Sequence, residues 1–201
     1  MLFLRIGILF ALLVPAMGQG ASTESSSKQP PAAQLGSLQN GAYRNSYFGF
    51  SYKLPYGWVD RTEQMRLDSG DPSKSLLLLS AFERPPQAEG DNLNSAVLIA
   101  AETVSSYPGL KNAVDYFGPL TEVTTSKGFK VVNEPYAVQV GTKQLVRSDF
   151  SREAGKVTMY QASLAMLERG FIVSFTFLGG TEDEIDGLIE GLAFSGTRRT
   201  R

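Results

Sequence analysis

The octapeptide Phe171-Ile172-Val173-Ser174-Phe175-Thr176-Phe177-Leu178 decides the fold. Phe171, Val173, Phe175 and Phe177 fall at every second position, the period of a β-strand, and place four apolar groups on one face. Ile172 and Leu178 lie on the other face, with Ser174 and Thr176 between them. Working upstream, Glu168-Arg169-Gly170 has hairpin chemistry and joins this strand to an apolar run at 157–167. Glu153-Ala154-Gly155 joins that run to a strand at 144–150, and Gly141-Thr142 joins this one to a strand at 136–140. The C-terminal half therefore reads as a β-meander. Beyond it, Thr181 and Glu184 form a T-x-x-E capping box. Ile185, Leu188, Ile189 and Leu192 supply the buried stripe of a closing helix.

The N-terminal half carries further strands. Phe48, Phe50 and Tyr52 alternate with Gly49, Ser51 and Lys53 until Pro55 stops the run. The stretches 76–82 and 96–104 are short and continuously apolar, which suits interior strands covered on both faces. Between them, 83–94 is polar, contains Pro85-Pro86 and Gly90, and reads as a surface loop. From Leu110 the period changes: Leu110, Ala113, Val114, Phe117, Leu120 and Val123 fall near one helical face, with a break expected at Gly118-Pro119 and an end at Gly128.

The run Asn45-Ser46-Tyr47-Phe48-Gly49-Phe50-Ser51-Tyr52-Lys53-Leu54-Pro55-Tyr56-Gly57-Trp58 resembles the opening of the Mog/PsbP-type family, "N..FGFSY.LP.GW". The central helix, the meander with Gly141 and Arg147-Ser148-Asp149-Phe150, the strand 170–177 and the closing Ala193-Phe194 extend the resemblance over most of 43–194. It implies an α+β fold, an α/β/α sandwich around a mostly antiparallel sheet. It also implies a binding or assembly module more than an enzyme, since relatives include extrinsic photosystem II subunits, a nuclear Ran-GTPase binder and secreted bacterial proteins. The matching positions are packing positions, so no family site residue carries over. A plastid lumen protein would need a longer, two-part transit peptide.

Chain organisation points to export. Residues 1–18 read as a signal peptide: Arg5 in a short n-region, an apolar run at 6–17, then the small residues Ala16, Gly18 and Gly20. That run falls short of the ~20 residues that a membrane span needs, so no stable span is expected after cleavage. Residues 19–42, rich in Ser, Gln, Ala, Pro and Gly, read as a flexible linker. A single domain at 43–197 and a basic tail at 198–201 complete the expected organisation. The absence of an Asn-x-Ser/Thr acceptor fits a bacterial source, periplasmic or secreted.

The 201 residues contain no histidine and no cysteine. Most hydrolytic triads, thiol nucleophiles and zinc sites are thereby excluded, as are disulfides. A formal charge of −1 leaves no electrostatic footprint for nucleic acid. No metal and no cofactor is expected. The acidic run Glu182, Asp183, Glu184, Asp186 lacks the spacing of a calcium loop and suits a helix N-terminus instead. Tyr107 and Lys111 match a Y-x-x-x-K relay without any glycine-rich nucleotide loop before them.

Two sets of binding residues stand out. Tyr52, Tyr56 and Trp58 cluster around a Pro-Gly turn as a candidate aromatic lip. Arg147 and Asp149, two apart on a strand, share a face and form a candidate polar spot for an anionic or amide ligand. The expected function is an exported, non-catalytic module that binds a protein partner of the envelope or extracellular space. The alternative is a small-molecule carrier with a pocket between sheet and helices, near Tyr56, Trp58 and 83–94. A hydrolase using carboxylates alone is the third reading.

Overall fold

A computed structural model of the chain describes residues 32–68, 74–85 and 93–194. One turn of helix, α1 (Ala32–Leu35), leads into β1 (Ser37–Gln39), β2 (Ala42–Asn45) and β3 (Phe50–Lys53). There follow β4 (Val59–Asp60), α2 (Thr62–Asp68), β5 (Ser75–Phe82) and β6 (Ala96–Thr103). Two 3-10 turns, Val104–Ser106 and Ala113–Tyr116, precede α3 (Phe117–Ser126). The meander is β7 (Lys130–Val140), β8 (Lys143–Ala154), β9 (Val157–Glu168) and β10 (Phe171–Gly179), and the fold closes with α4 (Glu182–Ile189) and β11 (Leu192–Phe194).

The strands form two sheets. One has seven strands in the order β4-β5-β6-β10-β9-β8-β7, the other four in the order β1-β2-β3-β11, and every pairing is antiparallel. The β9–β10 turn is the expected hairpin: Arg169 and Gly170 have φ of 52° and 79°, the two positive values that match a two-residue turn to the twist of its strands.

The alternation in β10 reports the layers faithfully. Phe175 and Phe177 are fully buried on one face, against Phe50 and Tyr52 of the small sheet and Ile185 and Leu188 of α4. Ile172 packs on the other face with Tyr116, Phe117 and Leu120, and Leu178 with Phe82 and Leu98, near Met65 of α2. Burying a side chain of this kind contributes roughly 1.5–3 kcal/mol, so β10 is the spine of both cores. The class is α+β with a mostly antiparallel sheet, as expected. The sandwich differs in one outer layer, which is the four-stranded sheet with α4 rather than helices alone.

Several boundaries depart from the sequence reading, among them Leu192, expected on the closing helix but found as the first residue of β11. The linker assigned to 19–42 gives way by Ala32 to α1 and by Ser37 to β1, whose turn into β2 has Asn40 at φ 51° and Gly41 at φ 71°. Asn-Gly between two short strands is a strong hairpin signal that the surrounding Ser/Gln/Pro composition masked. The helix expected from Leu110 begins as a 3-10 turn and becomes α-helical only at Phe117. Pro119 is then third in α3, where no backbone donor is needed, so the break precedes Gly118-Pro119. Finally, β7 starts at Lys130, six residues before the expected strand. The signal peptide (1–18), most of the 83–94 loop and the basic tail (198–201) lie outside the described residues. Among the described residues, no helix is long and apolar enough to cross a membrane.

Candidate functional site

The aromatic lip does not assemble. Tyr52 is central in β3 and fully buried, its ring tilted against Phe177 at 6.0 Å between centroids. Its hydroxyl has no hydrogen-bond partner among the described residues, and burial pushes its pKa up. Pro55 ends the strand, the chain turns outward, and Tyr56 stands fully in solvent. Trp58 is half-buried and packs on the core edge. One ring is inside, one outside and one at the margin.

Arg147 and Asp149 do assemble, with three residues that the sequence reading did not include. On β8, Arg147 Nε donates to Asp149 Oδ1 at 2.7 Å, and Arg147 Nη1 donates to Asp186 Oδ1 of α4 at 2.8 Å. The second oxygen of Asp149 accepts from Tyr136 Oη at 3.0 Å and from Asn133 Nδ2 at 3.1 Å, both on β7. Ser148 Oγ donates to the Asn133 carbonyl at 2.7 Å and ties down the same segment.

Two irregularities in β7 make this convergence possible. Register shifts lie between Val131 and Asn133 and again between Asn133 and Tyr136, around Pro135. Val131 packs in the core on the helix side of the sheet, whereas Val138 packs on the small-sheet side. Regular alternation would place 131 and 133 on one face. Tyr136 pairs with Arg147 in the unbroken register of the β7–β8 hairpin, and the bulges beyond it set Asn133 opposite Asp149, which is how a bulge re-aims a side chain at a sheet edge.

Electrostatics fix the protonation states. Burial works against the Arg147 charge, but the hydrogen bonds to Asp149 and Asp186 outweigh it and raise its pKa, so the guanidinium stays charged. Burial, with the bond to Asp149 adding to it against the pull of Arg147, raises Tyr136 to about 12. The hydroxyl is a fixed donor at neutral pH.

A cleft of about 220 Å³ opens over this set. Its lining includes Val132, Tyr136, Arg147, Asp149, Glu182 and Asp186, with Tyr160 and Ile185 as apolar wall. That is below the roughly 300 Å³ at which small-molecule sites begin, and it matches a single inserted side chain better than a cofactor. The space between the two sheets is filled by the buried side chains of Tyr52, Phe175 and Phe177, while most of the 83–94 loop that would border the expected carrier pocket lies outside the described residues.

The other chemical candidates resolve structurally. Thr181 Oγ1 accepts from the Glu184 amide at 3.1 Å, giving the expected cap. Glu184 reaches back to the amide of Gly180, one residue earlier than a capping box requires, and accepts from Ser95 Oγ at 2.5 Å. Tyr107 donates to Glu102 rather than engaging Lys111. Among the described residues no group of three or more acidic side chains is arranged to hold a metal ion.

No family model matches this chain, and no curated protein sequence does. It is similar to solved structures. One is the solution structure of cyanobacterial PsbP (CyanoP) from Synechocystis, at 15% identity and a TM-score of 0.48, covering 80% of this chain and 99% of that one. A second is a protein of Bacteroides thetaiotaomicron, at 13% identity and a TM-score of 0.38, covering 74% of this chain and 46% of that one. A third is LpqN of Mycobacterium tuberculosis, described as involved in cell envelope biogenesis, at 13% identity and a TM-score of 0.40, covering 71% and 76%. The cyanobacterial protein is of the family that the Asn45–Trp58 opening resembles.

Proposed function

We propose that this chain is an exported, non-catalytic binding module that engages a protein partner through the β7–β8–α4 cleft. The observation that carries this reading is the cross-linked set Asn133, Tyr136, Arg147, Asp149 and Asp186, built on an exposed sheet edge. Each side chain is held by another, as recognition requires, and the cleft walls add exposed apolar surface at Val132 and Tyr136. The set has donors and acceptors, and its central carboxylate, Asp149, is taken up by three hydrogen bonds. A carboxylate-only hydrolase needs one carboxyl that keeps a proton to give. Here Asp149 and Asp186 sit on one guanidinium. Export rests on the signal-like sequence of 1–18.

Site-specific photo-crosslinking in cells making the full chain tests the reading. A benzoylphenylalanine at Val132, beside the cleft, should give a discrete adduct. The same group at Leu67, 86% exposed on α2, should not. Equal smears from both positions refute the assignment of the cleft as the partner site.

A further inference from the structure

The cleft has a definite charge balance. One guanidinium faces three carboxylates, those of Asp149, Glu182 and Asp186. Asp149 is consumed by its three donors, whereas Asp186 has given only one oxygen to Arg147. Glu182 makes no hydrogen bond among the described residues. Glu182 and Asp186 are four apart on α4, hence neighbours on one side of the helix, and both line the cleft. Tyr136, with 40% of its surface exposed, lines the same cleft. Arg147 Nη2 also has no partner among the described residues, which leaves its two N–H groups as donors at the cleft.

From this arrangement we infer that the cleft receives a basic side chain, a lysine or arginine, from an extended segment of the protein partner. The inference rests on the proposed binding role and names its chemistry. Free carboxylate oxygens and an exposed aromatic ring lining one cleft suit a cation whose stem is apolar. The free Nη2 donor suits a backbone carbonyl of the same segment. An anionic ligand, the expectation from Arg147 and Asp149 alone, would reach a guanidinium whose charge two carboxylates already neutralise, with Glu182 adding repulsion. The volume of about 220 Å³ suits one side chain, not a folded domain or a nucleotide.

The test is a backbone-amide NMR titration of the full chain with capped Gly-Gly-Arg-Gly-Gly and with the same peptide carrying Gln or Glu in place of Arg. The Arg peptide should shift the amides of Tyr136, Glu182 and Asp186, weakening as salt rises. The double variant Glu182→Gln/Asp186→Asn should weaken it roughly fivefold, since exposed charge contacts are individually small. Both substitutions are at exposed positions, and unchanged shifts elsewhere will certify the fold. Equal response to the Gln peptide, or a stronger response to the Glu peptide, overturns the inference. So does Arg-peptide binding that emerges only when Arg198, Arg199 and Arg201 are replaced by Ala, because the chain's own tail is then the occupant. If the Val132 adduct forms while the Arg peptide does not bind, this inference fails and the binding role stands. If neither occurs, both fail.

Discussion

Two carboxylates in this molecule accept hydrogen bonds from tyrosines, on opposite faces of the same sheet, and they do different things. Glu102 on β6 accepts from Tyr107 and, at 2.9 Å, from Tyr116. Both tyrosines are buried, their rings meet edge to face at 5.3 Å, and together they fasten the two 3-10 turns to the sheet. Asp149 on β8 accepts from Tyr136 and Asn133, but it also carries Arg147, and a cleft opens above it. In the first set both tyrosines are buried around a half-buried Glu102, on a strand inside the sheet rather than at its edge. The second is at the sheet edge, where bulges break the ladder and a helix supplies a further acid. The same donor–acceptor chemistry is structural where it is enclosed and available for recognition where an edge leaves it open.

Truncating the tyrosine on each side exposes the contrast most strongly. Tyr116→Ala removes a side chain that is 2% exposed, packed with Phe117 and Ile172, and takes one of the two donors from Glu102. The expected loss is about 3–5 kcal/mol, a fall in the unfolding midpoint on the order of 10 °C. Tyr136→Ala removes a side chain that is 40% exposed, and the midpoint should move by less than about 3 °C. Differential scanning calorimetry on both variants decides it. Comparable losses would mean that the edge set is as structural as the enclosed one.

A smaller effect separates the two ion pairs of Arg147. The Arg147 and Asp149 side chains are 16% and 13% exposed, while Asp186 is 63% exposed. Arg147→Met leaves a mostly buried carboxylate without its cation and should cost about 1–3 kcal/mol. A double-mutant cycle with Asp149→Asn should recover more than about 1 kcal/mol of coupling, within the range for groups in contact. The cycle with Asp186→Asn should give less than about 1 kcal/mol and shrink with salt, as exposed pairs do. Urea unfolding at two ionic strengths measures both. Equal couplings would place Asp186 in the structural frame and remove it from the proposed recognition wall.

The same contrast explains what was legible in the sequence. The enclosed region was readable because its signal is periodic: the alternation of β10 and the continuous apolar runs of β5 and β6 follow from which face meets a core. The face shared by Arg147 and Asp149 followed from their two-residue spacing. Not all of their partners did, for two physical reasons. Counting back from the Gly141-Thr142 hairpin does pair Tyr136 with Arg147, but the bulges beyond Tyr136 cancel the period for Asn133, and only Pro135 inside a strand hinted at an edge. Asp186 arrives from 39 residues away, and its position one turn into a capped helix has a sufficient local explanation. The aromatic lip failed for the opposite reason. Closeness in sequence around the Pro55 turn is not closeness in space: strand alternation sends Tyr52 inward and the turn sends Tyr56 out.

The finest distinction between the two carboxylate sets is in how their tyrosines titrate. Tyr136 is raised to about 12, and burial pushes Tyr116 well above the ordinary tyrosine value. A raised folded-state value means that the unfolded chain loses its proton first. The stabilisation from each neutral hydroxyl is therefore complete below about pH 10 and declines as pH climbs toward the folded value. For Tyr136 that window is pH 10 to about 12, and the cleft's openness lets it ionise while the protein remains folded. Tyr116 should ionise only as the sheet opens. Absorbance near 295 nm during an alkaline titration, with far-ultraviolet circular dichroism recorded in parallel, separates the two events. Of the eight tyrosines, Tyr136→Phe should delete one contribution from the phase that precedes loss of strand signal. Tyr116→Phe should delete one from the phase that accompanies it. If Tyr136→Phe leaves the early phase intact, its hydroxyl is as enclosed as that of Tyr116, and the open edge set loses its distinction from the interior one.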